Sequence, residues 1–459
     1  MNRREFLKGF SAAVVAGAAV TAGCDNPSAT RAEGFSAGEV PTDRMTYRTD
    51  AHGQQVSLLG FGMMRLPVSD RKETGRENGD APIDQELVNR MVDYAIAHGV
   101  NYFDTSPAYC KGRSETCTGI ALSRHPRDKY LVATKMSNFR DWSYEASVKM
   151  YHHSFEALQV DHIDYYLLHA FGGEGDYDRR FVDNGVLEFL LKEREAGRIR
   201  NLGWSFHGIQ PEFDKVVAQH DKYHWDFAQI QMNYVDWHYA HELNEDNVNA
   251  DYLYDELDKR GIPIVIMEPL LGGRLATLNE HIAAQLKASE PDRSLASWAF
   301  RWLGMYPRVM TSLSGMTYLE HVEDNVRSHA PCTPLSDEQM ALLDRVADEY
   351  AHFPAIPCTA CQYCMPCPYG LDSPVIFAFY NKSLAEGNIA SEGSVEQREY
   401  RRARRSFLTT YDKSIARMRQ ADHCIDCGEC LKHCPQAIPI PTRMHEIEAY
   451  TNRLKDSLV

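Results

Sequence analysis

Residues 101–115 read NYFDTSPAYCKGRSE, and this stretch decides how the rest of the chain is read. A short apolar seed, Tyr102-Phe103, runs into Asp104, and Tyr109 follows on a segment that Ser106, Pro107 and Gly112 mark as loop. Asp104 and Tyr109 therefore stand where a strand opens into its loop, which in a parallel α/β barrel is the catalytic face. Two further apolar runs end in the same way: residues 130–135, YLVATK, close on Lys135, and residues 163–169, IDYYLLH, close on His169. Taken singly, a Tyr, Lys or His at a strand end is more often a surface or satisfied core residue. Together they form a chemical set. A phenol with a pKa of about 10 is a poor acid at neutral pH, an ammonium beside it favours the phenolate, a carboxylate holds the ammonium, and an imidazole can orient a substrate oxygen. Such a site would protonate a carbonyl oxygen while hydride arrives at carbon.

The segments LLGFGMMRLP (58–67), FDTSPAY with GRSE, VATK and LLHA occur in this order and closely resemble the aldo-keto reductase family, over about residues 45–325. The resemblance implies a (β/α)8 TIM barrel acting on a small carbonyl or alcohol substrate, with Tyr109 as general acid, Lys135 and Asp104 tuning it, and His169 positioning the carbonyl. It also implies a nicotinamide cofactor, NAD(P)(H). Ser205 in LGWSFHG and Gln229 in AQIQMNY would bond the carboxamide, and SGMTYLEHVEDNV (314–326) would hold the adenosine phosphate through Gly315 and Asn325. Three positions depart from the family pattern. The Asn that usually follows the Ser is Phe206, the aromatic expected just before Pro269 is replaced by Met267-Glu268, and His321 stands where NADPH users commonly place Arg. Without that guanidinium the 2′-phosphate loses a bidentate partner, which leaves NAD and NADP both open.

The periodicity of the chain supports the same fold. Residues 45–61 read as a hairpin turning at His52-Gly53. Helical apolar spacing recurs over 85–99, 144–158, 182–197, 251–261 and 294–304, and strand-like runs lie at 199–206, 227–234, 262–270 and 309–315. With the earlier runs these make eight βα units, and so regular an alternation favours a closed parallel barrel over an open sheet. Final barrel helices are expected at about 318–328 and 337–351. The loops 171–180 and 235–250 would shape the substrate pocket.

At the start, MNRREFLKGF precedes an apolar run of small residues (11–23) too short for a comfortable membrane span, so residues 1–24 are expected to be an export signal. Arg3-Arg4 with Phe6, Leu7 and Lys8 resembles the twin-arginine type, which serves proteins exported already folded. An ordinary secretory signal is the alternative. Thr21-Ala22-Gly23-Cys24 resembles a lipoprotein box, apart from Thr21 in place of Leu, and would make Cys24 a lipid anchor that leaves the folded part outside the bilayer. A periplasmic or membrane-anchored location on the outer side of the cytoplasmic membrane follows. Residues 25–44 are rich in small, polar and charged residues without a period and read as a flexible tether. Hydrophobic residues make up 44% of the chain, enough for a large core. A net charge of −15 excludes nucleic acid as an expected partner, and the basic run 398–405 reads as a solvated helix face.

After the barrel the cysteines begin: Cys358-x2-Cys361-x2-Cys364-x2-Cys367-Pro368, then Cys424-x2-Cys427-x2-Cys430-x3-Cys434-Pro435. The second array matches the bacterial ferredoxin run, and the first departs by one residue before its last Cys. Disulfides, structural zinc and plain buried thiols are the competing readings. The clustering rules out the last. Adjacent C-x2-C spacings suit a metal better than a disulfide framework, and Cys-Pro endings favour two 4Fe-4S clusters over zinc. By ferredoxin logic Cys358, Cys361 and Cys364 share a cluster with Cys434, and Cys424, Cys427 and Cys430 share one with Cys367. Residues 373–421 look helical and aromatic enough to pack this unit against the barrel. The layout resembles the aldo-keto reductase subgroup with a C-terminal dicluster ferredoxin domain. We therefore expect an export signal (1–24), a tether (25–44), a barrel (45–351) and a small, mostly helical ferredoxin-type iron–sulfur domain (352–459). The clusters would relay electrons from a membrane or periplasmic donor to an oxidoreductase. Two other classes are an iron–sulfur electron-transfer protein with a catalytically altered barrel, and a substrate-binding lipoprotein with structural clusters. The retained Asp104, Tyr109, Lys135 and His169 argue against both.

Overall fold

The computed structural model describes residues 36, 38–69, 81–352, 355–390, 398–434 and 436–456. The expected export signal, Cys24 and most of the expected tether lie outside them. Two short strands, β1 (Tyr47–Thr49) and β2 (Gln55–Ser57), pair antiparallel as the expected hairpin, its turn fixed by the Asp50 carboxylate, which accepts from the N–H groups of His52 and Gln54. Eight strands then close a parallel barrel: β3 (Leu59–Gly62), β4 (Tyr102–Asp104), β5 (Leu131–Met136), β6 (Ile163–Phe171), β7 (Ile199–Phe206), β8 (Phe227–Gln231), β9 (Ile264–Met267) and β10 (Val309–Gly315). They neighbour one another in chain order, with β10 closing against both β3 and β9.

The alternation read from the sequence accounts for the helices between them. In Gln85–Ala97 the apolar spacing buries Val88, Met91, Val92 and Ala95, and the Asp84 carboxylate caps the start by accepting from the Leu87 N–H at 3.0 Å. Inside the barrel Val56 of the hairpin plugs the N-terminal end beneath Tyr102, Tyr165, Leu167, Phe227 and Val265. A side chain at Gly203 would come within 2.7 Å of the Phe227 ring, so glycine there is what lets that ring fill the interior. The barrel is thus a packed core, and full burial of one such side chain stabilises by about 1.5–3 kcal/mol.

Several boundaries differ from expectation for local reasons. Strand β8 stops at Gln231 because the Asn233 side chain accepts from the N–H groups of Val235 and Asp236 and starts a helix, Asp236–Leu243, inside the expected loop 235–250. Strand β9 stops at Met267 because Glu268 takes a left-handed conformation (φ 54°) ahead of Pro269. The helix expected from residue 182 starts at Val186, after the left-handed Gly185 (φ 78°). Residues at the end of the expected tether are docked, not free: Ser36 is buried, its N–H donates to Asp324 and its hydroxyl accepts from the Ser294 N–H.

Beyond the barrel helix Asp337–Ala351, three helices, Ser373–Ala385, Arg398–Ser414 and Ile440–Asp456, enclose a core that includes Phe377, Phe379, Phe407, Tyr411, Met444 and Ile447. The expectation that the aromatic segment 373–421 packs against the barrel is corrected. Phe407 stacks on Tyr411 and meets Phe379 and Tyr450 edge-on, and these rings belong to this domain's own core. Arg398, Arg401, Arg402 and Arg405 form the exposed face anticipated for the basic run. No helix among the described residues is long and apolar enough to cross a membrane.

Candidate active site

The structure brings the four strand-end residues together. Asp104 is the last residue of β4, Lys135 lies near the end of β5 and His169 near the end of β6, and all three side chains are buried. Lys135 Nζ donates to Asp104 Oδ1 at 2.5 Å and to the Thr105 carbonyl at 2.8 Å. The same ammonium lies 4.9 Å from the centre of the Tyr109 ring, and that ring meets His169 edge-on at 5.8 Å. Tyr109 is held there by a turn in which Cys110, Lys111 and Gly112 all take positive φ (51°, 56° and 81°). Two consecutive non-glycine residues in that region are strained, a cost often found at functional sites. Burial pushes the Asp104 carboxyl up and the Lys135 ammonium down, and their contact opposes both shifts. Burial, reinforced by Lys135, Arg180 and His207, pushes His169 well below the usual imidazole range, so its ring is neutral at pH 7. Asp104 Oδ2 has no hydrogen-bond partner among the described residues.

Residues that the sequence did not single out hold His169. Ser137 Oγ lies 2.6 Å from His169 Nδ1, and Ser106 Oγ lies 2.8 Å from Ser137 Oγ. With the ring neutral, a Ser137 hydroxyl donating to Nδ1 leaves the proton on Nε2. Arg180, buried in the loop after β6, donates to the carbonyls of His169 (2.7 Å) and Ala170 (2.9 Å). Its guanidinium also lies 4.7 Å from the Phe139 ring, which packs 4.9 Å from His169 at the mouth. Arg180 closes the expected pocket loop 171–180, but nothing in its local sequence distinguishes it from a surface arginine.

The expected cofactor residues have mixed surroundings. Gln229 is buried with its Oε1 unpartnered among the described residues, an acceptor suited to a carboxamide N–H. Ser205 is already engaged: its hydroxyl accepts from the Ala170 N–H at 2.7 Å, where β6 shifts register. Asn325 donates to Ser314 Oγ at 2.8 Å. At Gly315 a side chain would meet Arg65 Cδ at 3.3 Å, so the Arg65 side chain lies over this glycine. His321 Nδ1 accepts from the Thr317 N–H (3.2 Å), and burial lowers its pKa against the charges of Glu320 and Asp324. Glu268, near Arg65 and Arg274, stands where a stacking aromatic was expected, its carboxyl pushed up by burial.

The array cysteines form no disulfide, and cysteines of the two arrays lie near one another. Burial pushes the Cys364 thiol up to about 12, with Cys358, Cys434 and Cys430 adding to the shift, and Cys358 likewise feels Cys434. Burial pushes Cys430 up to about 11, helped by Cys424, Cys427 and Cys367, and Cys424 feels Cys367 and Cys427. The segment between Cys358 and Cys364 lies on the barrel mouth. Arg65 Nη2 donates to the Thr359 carbonyl at 2.6 Å, Gly272 abuts Thr359 so closely that a side chain there would come within 2.7 Å, and Tyr363 lies 6.3 Å from Phe139. Just after Cys434, Gln436 donates to Gln231 Oε1 at 3.3 Å.

Comparison with known proteins agrees with both halves. Residues 58–348 match the Aldo/keto reductase family and residues 357–438 match the 4Fe-4S dicluster domain. L-galactose dehydrogenase of Arabidopsis thaliana is 26% identical over 63% of this chain and 89% of its own length. Probable aldo-keto reductase 1 of Glycine max is 29% identical over 35% of this chain, but that match spans only 46% of the relative. Among solved structures, an aldo-keto reductase from Klebsiella pneumoniae in complex with NADPH shares the fold, with 20% identity, a TM-score of 0.51, and coverage of 66% of this chain and 96% of that one. With the family match spanning the whole barrel and the dicluster match the domain behind it, the chain belongs to the aldo/keto reductase family, as an oxidoreductase that carries an iron–sulfur domain.

Proposed function

We propose that the chain is an exported enzyme that interconverts a carbonyl and an alcohol in its barrel and exchanges electrons through two 4Fe-4S clusters in its C-terminal domain. The observation that carries this reading is the dry set Asp104–Lys135–Tyr109–His169 at the C-terminal strand ends. Reduction adds a pair of electrons and a pair of protons across the carbonyl double bond, leaving an alcohol. Tyr109 gives one proton to the carbonyl oxygen, Lys135 stabilises the phenolate that remains, Asp104 keeps Lys135 charged, and His169 Nε2–H holds the same oxygen in line. A bound dinucleotide would supply hydride to the carbonyl carbon, and the clusters would supply electrons one at a time. NADPH in the related Klebsiella pneumoniae structure and the free Gln229 acceptor support a dinucleotide here.

An exported enzyme is cut off from the cytoplasmic nicotinamide pool. Arg65, lying over Gly315 and tied to Thr359, bridges the expected adenosine-phosphate site to the iron–sulfur domain, which supports a resident dinucleotide over an exchanging one. The ligand sets are Cys358, Cys361, Cys364 and Cys434, and Cys367, Cys424, Cys427 and Cys430. Export rests on Arg3-Arg4, and Arg3→Lys with Arg4→Lys should strand the chain in the cytoplasm. Anchoring at Cys24 would hold it on the outer face of the membrane, near a quinol or protein donor. The test of the catalytic reading is Tyr109→Phe. It should retain fold and iron while carbonyl reduction falls by about 10²–10⁴-fold; near-normal activity would place the proton donor elsewhere.

A further inference from the structure

The two cysteine sets differ in what surrounds them. Every contact described above between the C-terminal domain and the barrel comes from beside the Cys358/Cys361/Cys364/Cys434 set: Thr359 on Arg65 and Gly272, Tyr363 near Phe139, and Gln436 on Gln231. Phe139 in turn packs on His169, so this set borders the catalytic residues. The other set reaches the surface at one of its cysteines. Cys427 is exposed, and beside its fellow ligands stand Ile425 (56% exposed), Leu431 (46%) and Tyr369 (49%). Met418 (73%) joins them, since Gly370, next to Tyr369, faces the Met418 carbonyl.

We propose that electrons enter at the Cys367/Cys424/Cys427/Cys430 set, through an apolar collar of Tyr369, Met418, Ile425 and Leu431 that docks a small one-electron carrier protein. The inference rests on the reading above that both sets hold clusters. Large apolar side chains gathered on a surface mark a contact site, and here they surround the outward cluster position. Charge selects the kind of partner. Four basic side chains around the collar face carboxylates: Arg417 with Asp422 (2.7 Å), Lys432 with Glu429 (3.0 Å), Arg419 with Asp372 (3.6 Å) and His445 with Asp426 (2.8 Å). A self-neutralised rim has little to offer anionic lipid headgroups, which recruit unpaired Lys and Arg. An apolar centre inside a polar, internally paired rim is instead the anatomy of a small transient protein interface. Each docking event moves one electron from the carrier to this set, with no bond or proton transferred. Two events deliver the pair that one carbonyl reduction consumes.

The test uses the iron-loaded full chain and follows bleaching of its clusters after anaerobic mixing with a reduced flavodoxin, a small flavin-carrying protein, or with reduced methyl viologen. Ile425→Glu combined with Leu431→Glu should slow reduction by flavodoxin at least about tenfold and leave reduction by methyl viologen unchanged. Because these charges are paired, the wild-type flavodoxin rate should change by less than about threefold between low and high salt. An iron-loaded variant that accepts electrons from flavodoxin as fast as wild type overturns the collar alone. So does a wild-type chain that flavodoxin does not reduce, or one reduced faster by a quinol in lipid vesicles. A chain that holds zinc in place of iron overturns the cluster reading, and the collar with it.

Discussion

Asp104 and Asp164 are both buried carboxylates on barrel strands, at opposite ends. Asp164, at the N-terminal end of β6, is saturated: it accepts from Arg127 (2.6 Å), the Val132 N–H (2.9 Å) and Arg200 (3.1 Å). Asp104, at the C-terminal end of β4, has Lys135 on one oxygen and no partner among the described residues on the other. Their titration shifts run in opposite directions. Burial raises Asp104 despite Lys135, whereas at Asp164 burial is outweighed by His162, Arg127 and the Val132 N–H, and the carboxyl is held below the usual range. The folded value of Asp164 is depressed, so its contribution to stability is complete above the unfolded carboxylate pKa of about 3.9 and is lost as pH falls through the folded value. Asp104 works the other way: its folded value is raised, so the fold loses stability as pH rises from the unfolded value through the folded one. One end of the barrel uses its carboxylate as a staple, and the other keeps one incompletely satisfied to set the charge on Lys135.

Exchanging the roles breaks this contrast. The largest effect is expected for Asp104→Asn, which leaves Lys135 buried without its carboxylate; kcat should fall by about 100-fold or more, and unfolding free energy by about 3 kcal/mol. Equal kcat in that variant would detach Asp104 from the chemistry. Asp164→Asn should lower unfolding free energy by about 2 kcal/mol but preserve kcat per folded molecule, as denaturant titration beside steady-state kinetics would show. Next comes Ser137→Ala, which frees the His169 ring to change tautomer: kcat should drop about tenfold with KM little changed, and the nitrogen shifts of His169 in NMR should move. Unmoved shifts would mean that Ser137 does not set the tautomer. The smallest effect is expected for Arg65→Ala, which removes the bond to Thr359. Stability should fall by about 1 kcal/mol, and bound dinucleotide should exchange faster by fluorescence.

The barrel and the core of its site were legible because apolar runs that stop on a polar residue mark strand ends, and the chain repeats that pattern at Asp104, Lys135 and His169. The cysteine spacing was legible for a similar reason: the chemistry needs those residues at those intervals. What lay hidden depends on loop conformation and distance. Ser137 and Ser106 read as ordinary loop residues until the strand register sets them beside His169. Arg65 and Thr359 are far apart in sequence and meet only because Gly272, in a left-handed turn (φ 69°), leaves room for the iron–sulfur domain to approach. The aromatic residues at 377–411 announced a core, but composition alone did not say that the core was their own.

The account's central claim is that reducing power reaches the barrel through the iron–sulfur domain. Its most direct test is carbonyl reduction measured with reduced dye and with free NADPH, on the wild-type chain and on Cys427→Ala. The account predicts that reduced dye supports turnover well and free NADPH poorly in the wild type, and that Cys427→Ala loses most of the dye-driven rate while keeping the fold. Fast turnover with free NADPH in a variant stripped of both clusters would contradict it, and would make the C-terminal domain a structural appendage of a conventional reductase.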